Sequence, residues 1–172
     1  MGYTTDFNGQ FELSRKLTED EGAFLKMFAE TRRMPRDPEK VKALKGEERN
    51  EECFALLKKL NMDIGPNAEN YCGVGDFGQG HDSSILDYNG FDVKSPFPGL
   101  WCQWTPEEDL GAIVWDEGEK FYNHVEWLEY LIDHFLAPWG IVVNGSVEWR
   151  GEDWGDTGTI SVEDNEVSTS SP

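Results

Sequence analysis

Tryptophan is concentrated in one part of this chain. Six of the seven tryptophans lie between Leu100 and Gly151, which is less than a third of the 172 residues. Aromatic side chains bury more apolar surface than any others and dominate the cores they enter. The hydrophobic core is therefore expected to form around this stretch.

The most regular pattern inside this stretch predicts a helix over residues 121–136. Apolar residues recur there at intervals of three and four, which places them on one helical face: Phe121, Val125, Leu128, Ile132 and Phe135. Pro138 and Gly140 follow and predict the end of the helix. We expect the apolar face to lie against a sheet.

Two further stripes run along the same predicted helix. Glu126, Glu129 and Asp133 fall together on one flank. Trp127 and Tyr130, with His134, form an aromatic stripe on the far side. Such a stripe is more often covered by another layer of the same protein than exposed, since surface aromatic patches are uncommon on monomers. The alternative is a face that binds a partner.

The remaining segments predict an α+β fold. A strand or short hairpin is expected at residues 4–13, and later strands at 100–104, 112–115, 141–143, 147–149 and 159–162, with Asn144-Gly145 as a hairpin turn. A capping box at Thr18 begins a helix that runs to about Arg33. We predict a single domain over residues 1–163, in which a mainly antiparallel sheet packs against the 121–136 helix and the N-terminal helices form a second layer.

Three segments are expected to lie outside the sheet. Residues 38–60 predict a peripheral helical segment that is broken at Gly46, and residues 61–98 are rich in glycine, proline, asparagine and aspartate, which predicts a long irregular region. Residues 164–172 are polar and rich in serine and threonine, so we expect a disordered tail.

Negative charge accumulates toward the C-terminus. The chain has 34 acidic and 15 basic residues, a net charge of -19. Residues 105–172 hold 16 of the acidic residues but only two basic ones, Lys120 and Arg150. Such a field repels nucleic acid and anionic membranes and attracts basic protein surfaces. The alternative interpretation is that the charge only maintains solubility.

The cysteine pattern indicates a reducing compartment. Cys53, Cys72 and Cys102 are odd in number and have neither Cys-x-x-Cys spacing nor a histidine at ligand spacing, which favours buried thiols and predicts no metal site and no cofactor. The N-terminus has no signal-peptide pattern, and no apolar run is long enough to span a membrane. We therefore expect a cytosolic protein.

One glycine pattern offers a small-ligand alternative. Gly73, Gly75 and Gly78 match the dinucleotide fingerprint, although no clear strand precedes them and no helix follows. Arg32 and Arg33 would bind phosphates in this hypothesis, and Trp104 would stack on a base. For the arginines, internal pairing with carboxylates is the favoured interpretation.

Other chemical motifs are weak. Residues 153–164 imitate a calcium loop, but Gly155 stands where a ligand is needed, so a hairpin turn is the better prediction. Asp116, Glu117 and Glu119 precede the predicted helix, where carboxylates favour the helix dipole without a metal. No nucleophile elbow or zinc-protease motif is present. An enzyme is therefore the less favoured class.

Several words of the sequence resemble a family of small bacteriophage and prophage proteins whose function is uncharacterised. They are Thr-Arg-Arg-Met at 31–34, Gly-Leu-Trp-Cys-Gln-Trp at 99–104, Trp-Asp-Glu-Gly-Glu-Lys-Phe-Tyr-Asn at 115–123, Val-Glu-Trp-Leu at 125–128, Pro-Trp-Gly at 138–140 and Asn-Gly-Ser-Val-Glu-Trp at 144–149. The resemblance implies a phage origin and expression in a bacterial cytoplasm. It assigns no catalytic residue.

These observations predict a protein that works by binding. The first hypothesis is an inhibitor of a host nucleic-acid-handling or defence protein with a basic surface, in which carboxylates partly take the place of DNA phosphates. The predicted contact residues are Glu126, Glu129 and Asp133, with Trp127 and Tyr130 as aromatic anchors and Asp116, Glu117 and Glu119 beside them. The alternatives are a protein that binds or hydrolyses a nucleotide signal, and a virion or assembly component. The oligomeric state stays open.

Overall fold

A computed structural model describes residues 3–88 and 97–171. Contacts within the chain cluster into two compact units: unit 1 comprises residues 1–18 and 102–172, and unit 2 comprises residues 19–101. The predicted α+β class, with an antiparallel sheet and helices, is confirmed. The single domain over residues 1–163 stays a prediction.

Unit 1 is built on a six-stranded antiparallel sheet. Its strands are β1 (Thr5–Leu13), β2 (Trp104–Pro106), β3 (Ala112–Trp115), β4 (Val143–Gly151), β5 (Thr157–Glu163) and β6 (Glu166–Ser170). Their order across the sheet is β2-β3-β1-β4-β5-β6. The N-terminal strand thus lies in the middle of the sheet, between strands that come much later in the chain.

The strand β4 corrects the hairpin that was predicted at Asn144-Gly145. These two residues lie inside a continuous strand that pairs with β1 on one side and β5 on the other. A Cβ atom at Gly145 would lie 2.9 Å from the carbonyl oxygen of Gln10, so glycine is needed there because the neighbouring strand approaches closely. The glycine therefore serves strand pairing instead of a turn.

The tail that was predicted for residues 164–172 is also corrected. Asp164 and Asn165 both have positive φ, 48° and 71°, and form a two-residue turn between β5 and β6. Two positive φ angles are the feature of a type I′ hairpin turn, which asparagine and aspartate tolerate better than most residues. Residues Glu166–Ser170 consequently add an edge strand to the sheet.

The helix predicted over residues 121–136 begins three residues later. Helix α4 runs over His124–Leu131 and continues as a π turn over Ile132–Leu136. Its inward residues are buried. The aromatic side chains of β1 pack on Trp104 of β2, and the ring centroids of Phe7 and Phe11 each lie 5.3 Å from that of Trp104. The indole nitrogen of Trp104 donates to the backbone oxygen of His124 at 2.8 Å, which fixes the start of α4 on the sheet.

Unit 2 contains the first three helices of the chain. It contains α1 (Glu19–Ala29), α2 (Pro38–Lys42) and α3 (Glu51–Lys59), and a 3₁₀ turn at Gly46–Glu48 occupies the predicted break. Helix α1 thus ends earlier than the predicted Arg33. The described part of the region 61–98 contains one further 3₁₀ turn, at Asp76–Gly78, and an isolated bridge between Arg36 and Ile85. Residues 89–96 of that region lie outside the described residues.

Candidate functional site

The predicted acidic flank of α4 is exposed. Glu126 and Glu129 point to solvent from the helix, and Asp133 does so from the π turn that follows. A helix carries the first two side chains three residues apart, which makes them neighbours on its surface. The flank therefore presents carboxylates, as the sequence indicated.

Trp127 and Tyr130 are not available to a partner. Trp127 is fully buried and Tyr130 is 6% exposed. Their rings contact each other with centroids 5.6 Å apart, and Tyr130 also contacts Phe135. The prediction that they anchor a partner is therefore wrong, and the interpretation that the aromatic stripe is covered by the protein itself is correct for both. His134 alone remains exposed at the end of the stripe.

The acidic loop before α4 is exposed but has structural roles of its own. Asp116 accepts the backbone N–H of Gly118 at 2.7 Å. Glu119 forms an exposed ion pair with Lys120 at 3.9 Å. Glu117 is exposed and has a positive φ of 66°, so it lies at a turn. All three side chains are exposed to solvent.

The sequence analysis did not single out Trp154, the most exposed large apolar residue of the described chain. Its side chain is 99% exposed, in the turn between β4 and β5. Glu152 and Asp153 precede it directly, and both are exposed. A tryptophan in a turn of acidic residues and glycine belongs to no apolar face of a strand or helix. The absence of such a face is the sequence signal that predicts its exposure. We name residues 152–156 the Trp154 loop.

Hydrogen bonds from the N-terminus hold the Trp154 loop in place. The Tyr3 hydroxyl donates to Asp156 at 2.5 Å and accepts the backbone N–H of Asp153 at 3.0 Å. The backbone N–H of Thr4 donates to Glu152 at 3.0 Å. The hydrogen bond from Tyr3 and a second one from the indole of Trp149 lower the pKa of Asp156. The loop thus carries a fixed negative charge beside an exposed indole.

A groove crosses the exposed face of the sheet next to this loop. Its volume is about 750 Å³, and its walls are two rows of side chains that pair across the strands. One row is Asp6, Arg150 and Thr157, and the other is Asn8, Glu148, Thr159 and Ser170. Arg150 and Thr157 also line a smaller hollow of about 320 Å³ at the Trp154 loop. The groove and the loop therefore form one continuous surface.

Negative charge dominates unit 1 as a whole. It contains 18 acidic residues and four basic ones, a formal charge of -14. Of the 18 acidic residues, 16 are exposed and none is buried. Four basic side chains can neutralise at most four of these charges, so most of the negative field reaches solvent.

The residues of the small-ligand alternative have internal roles. The side chain of Arg32 donates to the backbone oxygen of Tyr88 at 2.6 Å, and Arg33 is 3% exposed. Trp104 is 1% exposed, so it is not available to stack on a base. Arg33 and Trp104 are therefore not exposed to a nucleotide.

The glycines of the same alternative are explained by packing. A Cβ atom at Gly78 would lie 2.7 Å from the Cα atom of Thr31, and one at Gly73 would lie 2.9 Å from the carbonyl oxygen of Gly78. Gly75 has a φ of 83°. The segment that follows forms a 3₁₀ turn, which is too short to direct a helix N-terminus at a phosphate.

Comparison of the chain with protein-family models, with curated proteins and with solved structures gave no match. Among residues 3–88 and 97–171, no group of three or more potential ligand residues has the arrangement of a metal site. Within the same ranges, none of the helices has the length and apolar character needed to cross a bilayer.

Proposed function

We propose that this chain acts by binding a basic surface of another protein through unit 1. The observation that carries the proposal is Trp154, an indole that is 99% exposed between acidic residues on a loop held by hydrogen bonds. Tryptophan is among the residues that most often contribute large shares of binding energy at interfaces. An exposed indole on a fixed loop loses little conformational freedom on binding, which favours affinity.

The charge of unit 1 indicates the chemistry of the partner. With 16 exposed carboxylates, the unit attracts cationic surfaces and steers them during encounter. Proteins that bind nucleic acid display such surfaces, because lysine and arginine neutralise the phosphates. We therefore propose a nucleic-acid-handling or defence protein as the partner, with carboxylates in the place of some phosphates.

The resemblance of the sequence motifs to bacteriophage proteins extends the proposal. A phage protein with this surface would act in the bacterial cytoplasm and inhibit a protein of the host. The contact surface that we propose consists of the Trp154 loop and the adjoining groove with Asp6 and Glu148. The predicted carboxylates at Asp116, Glu117, Glu119, Glu126, Glu129 and Asp133 lie before and along α4, which packs on the opposite face of the sheet, and they strengthen the negative field that attracts a basic partner. Trp154 takes the role that the sequence analysis gave to Trp127 and Tyr130.

The proposal is tested with the immobilised protein and the DNA-binding fraction of a bacterial lysate. We expect retained proteins that are released by salt and by competing duplex DNA, since both weaken contacts between carboxylates and a basic surface. Trp154→Ala should lower the retained amount at least about tenfold, which corresponds to loss of a binding hot spot.

A matched control separates binding from folding. Phe77 is an aromatic residue of unit 2 that is 67% exposed, so Phe77→Ala removes a comparable side chain outside the proposed surface. We expect this variant to retain the same proteins as the wild type. If Trp154→Ala also binds normally, or if the retained proteins resist salt and DNA, the proposal is wrong.

A further inference from the structure

Unit 2 contains two buried cysteines that are joined by a hydrogen bond. Cys53 lies in the first turn of α3, and Cys72 lies 19 residues later in the segment that packs against it. The backbone N–H of Cys72 donates to the Cys53 sulfur at 3.0 Å, and the Cys53 thiol donates to the backbone oxygen of Asn70 at 3.7 Å. Both thiols are free and have no exposed surface. The two sulfurs are thus neighbours although their residues are far apart in sequence.

A buried arginine lies beside the same pair. Nη2 of Arg33 is 3.9 Å from the Cys72 sulfur and 3.0 Å from the backbone oxygen of Phe28, and Nη1 is 2.8 Å from that of Tyr71. Within the described residues, no carboxylate is in ion-pair distance of this guanidinium. A buried positive charge is costly unless an opposite charge compensates it. The Cys72 thiolate is the group placed to do so.

The surroundings distinguish the two sulfurs. Burial raises the pKa of Cys72, but the neighbouring Cys53 thiol and the charge of Arg33 outweigh burial and lower the pKa to about 7. The neighbouring Cys72 side chain and burial raise the pKa of Cys53. The thiolate is the nucleophilic form of cysteine. Cys72 therefore has the properties of an attacking sulfur, and Cys53 those of a protonated partner.

We propose that Cys53 and Cys72 are an oxidisable dithiol in which Cys72, held beside Arg33, reacts with hydrogen peroxide and Cys53 then closes a disulfide. The Cys72 thiolate attacks one peroxide oxygen, so that the O–O bond breaks, an S–O bond forms and hydroxide leaves. The Cys53 sulfur then gives up its proton and attacks the Cys72 sulfur, so that the S–O bond breaks and a second hydroxide leaves. One molecule of peroxide thus oxidises two thiols to one disulfide. The two hydroxides combine with the two thiol protons to give two water molecules.

The complete burial of the pair determines which oxidant it accepts. Peroxide is nearly as small as water and reaches buried sulfurs through local opening of the chain. A bulky disulfide such as oxidised glutathione requires an exposed thiol for exchange. The inference does not depend on the proposed function, because it concerns unit 2 and needs no partner.

The wild-type protein tests the inference directly. After exposure to peroxide and denaturation, the number of titratable thiols should fall from three to one, and a non-reducing digest should contain a peptide pair joined through Cys53 and Cys72. Oxidation should slow about tenfold for each pH unit below 7, because the thiolate fraction falls in that proportion. Oxidised glutathione at the same concentration should leave all three thiols free.

Variants assign the two roles. In Cys53→Ser, the Cys72 sulfenic acid has no resolving thiol, so dimedone should label Cys72; in Cys72→Ser, no such label should appear on Cys53. Cys102→Ser is the matched control, since Cys102 is also buried but belongs to unit 1, and it should form the same disulfide at the wild-type rate. If three thiols survive peroxide in the wild type, or if the recovered disulfide involves Cys102, the inference is wrong.

Discussion

Two ion pairs of unit 2 have opposite surroundings. Arg36 lies 2.9 Å from Asp82, and both side chains are almost fully buried, whereas Lys59 and Asp20 pair at 3.9 Å with roughly half of each side chain exposed. Removal of one partner from a buried pair costs about 3–5 kcal/mol, because the other charge stays buried alone. An exposed pair contributes about 0–1 kcal/mol.

We therefore predict that Asp82→Asn lowers the free energy of unfolding by about 3 kcal/mol, while Asp20→Asn changes it by less than about 1 kcal/mol. Urea unfolding of both variants measures the difference. Asp82 also accepts the hydroxyl of Ser84, a bond that asparagine can keep, so the loss reports the charge. Equal stability of the two variants would show that Asp82 is not buried as described.

Burial of His124 predicts a dependence of stability on pH. The imidazole ring is largely removed from water, and this burial is the main reason why the pKa of His124 lies below the ordinary value for histidine. In the unfolded chain the histidine binds a proton at about pH 6.5, whereas in the folded chain it does so only at lower pH. The contribution of neutral His124 to the free energy of unfolding is therefore fully present above about pH 6.5 and is lost as the pH falls through the pKa of the folded state.

His124→Gln should remove part of the fall in unfolding temperature between about pH 7 and pH 5, because glutamine does not titrate. The contact of Trp104 with residue 124 uses the backbone oxygen and survives the substitution. A pH profile that is unchanged in His124→Gln would contradict the prediction.

The periodicity of the sequence predicted which face of the α4 segment is buried, but not what covers its other sides. The spacing of Leu128, Ile132 and Phe135 identified a buried face, and the acidic flank is exposed as expected. The pattern did not decide whether Trp127 and Tyr130 were covered, since that depends on packing between residues distant in sequence. Trp154 was missed for the opposite reason, because a single aromatic residue in a turn has no pattern.

At the scale of elements, turn chemistry was assigned to the wrong dipeptide. Asn144-Gly145 is the stronger local hairpin signal, yet pairing with β1 and β5 holds it in a straight strand. Asp164-Asn165 forms the actual hairpin turn and converts a polar segment into β6. Local sequence therefore predicted most strands, whereas the choice of turn depended on which strands pair.

Asn165 has a double role in this turn that predicts graded effects of substitution. Its positive φ favours asparagine or glycine, and its side chain accepts the backbone N–H of Val143 at 2.7 Å and donates to the backbone oxygen of Ile141. Asn165→Gly keeps the backbone conformation but loses the two side-chain hydrogen bonds. Asn165→Ala loses these hydrogen bonds and also the favourable backbone conformation, because alanine does not favour a positive φ.

We predict that Asn165→Gly lowers the free energy of unfolding by about 1 kcal/mol and that Asn165→Ala lowers it by about 2 kcal/mol. Chemical denaturation provides the values. Ser168→Ala, an exposed change within β6, should stay within about 0.5 kcal/mol of the wild type. If neither Asn165 variant is destabilised, residues 164–170 do not form the hairpin.

At the scale of the whole molecule, the sequence predicted the charge of unit 1 but not which segments of the chain form this unit. The excess found in residues 105–172 became the charge of unit 1, because nearly all of its carboxylates face solvent. The contribution of residues 3–18 to the same unit was not predictable, since β1 lies between strands from the other end of the chain. Such long-range pairing has no local signature in the sequence.

The charge of unit 1 predicts that salt stabilises the protein. Repulsion among its carboxylates opposes folding, and the distance over which charges interact falls from about 30 Å at 0.01 M salt to about 3 Å at 1 M. We expect the unfolding temperature to rise by about 2–4 °C over this range, which corresponds to about 1 kcal/mol in a chain of this length.

A variant in which Glu108, Glu129, Glu163 and Glu166 are replaced by glutamine should unfold at a higher temperature than the wild type in low salt and at the same temperature in high salt. This convergence separates charge screening from the general effect of salt on apolar surface, which acts on both proteins alike. Unfolding temperatures that are equal in low salt would show that the carboxylates do not repel one another enough to affect folding.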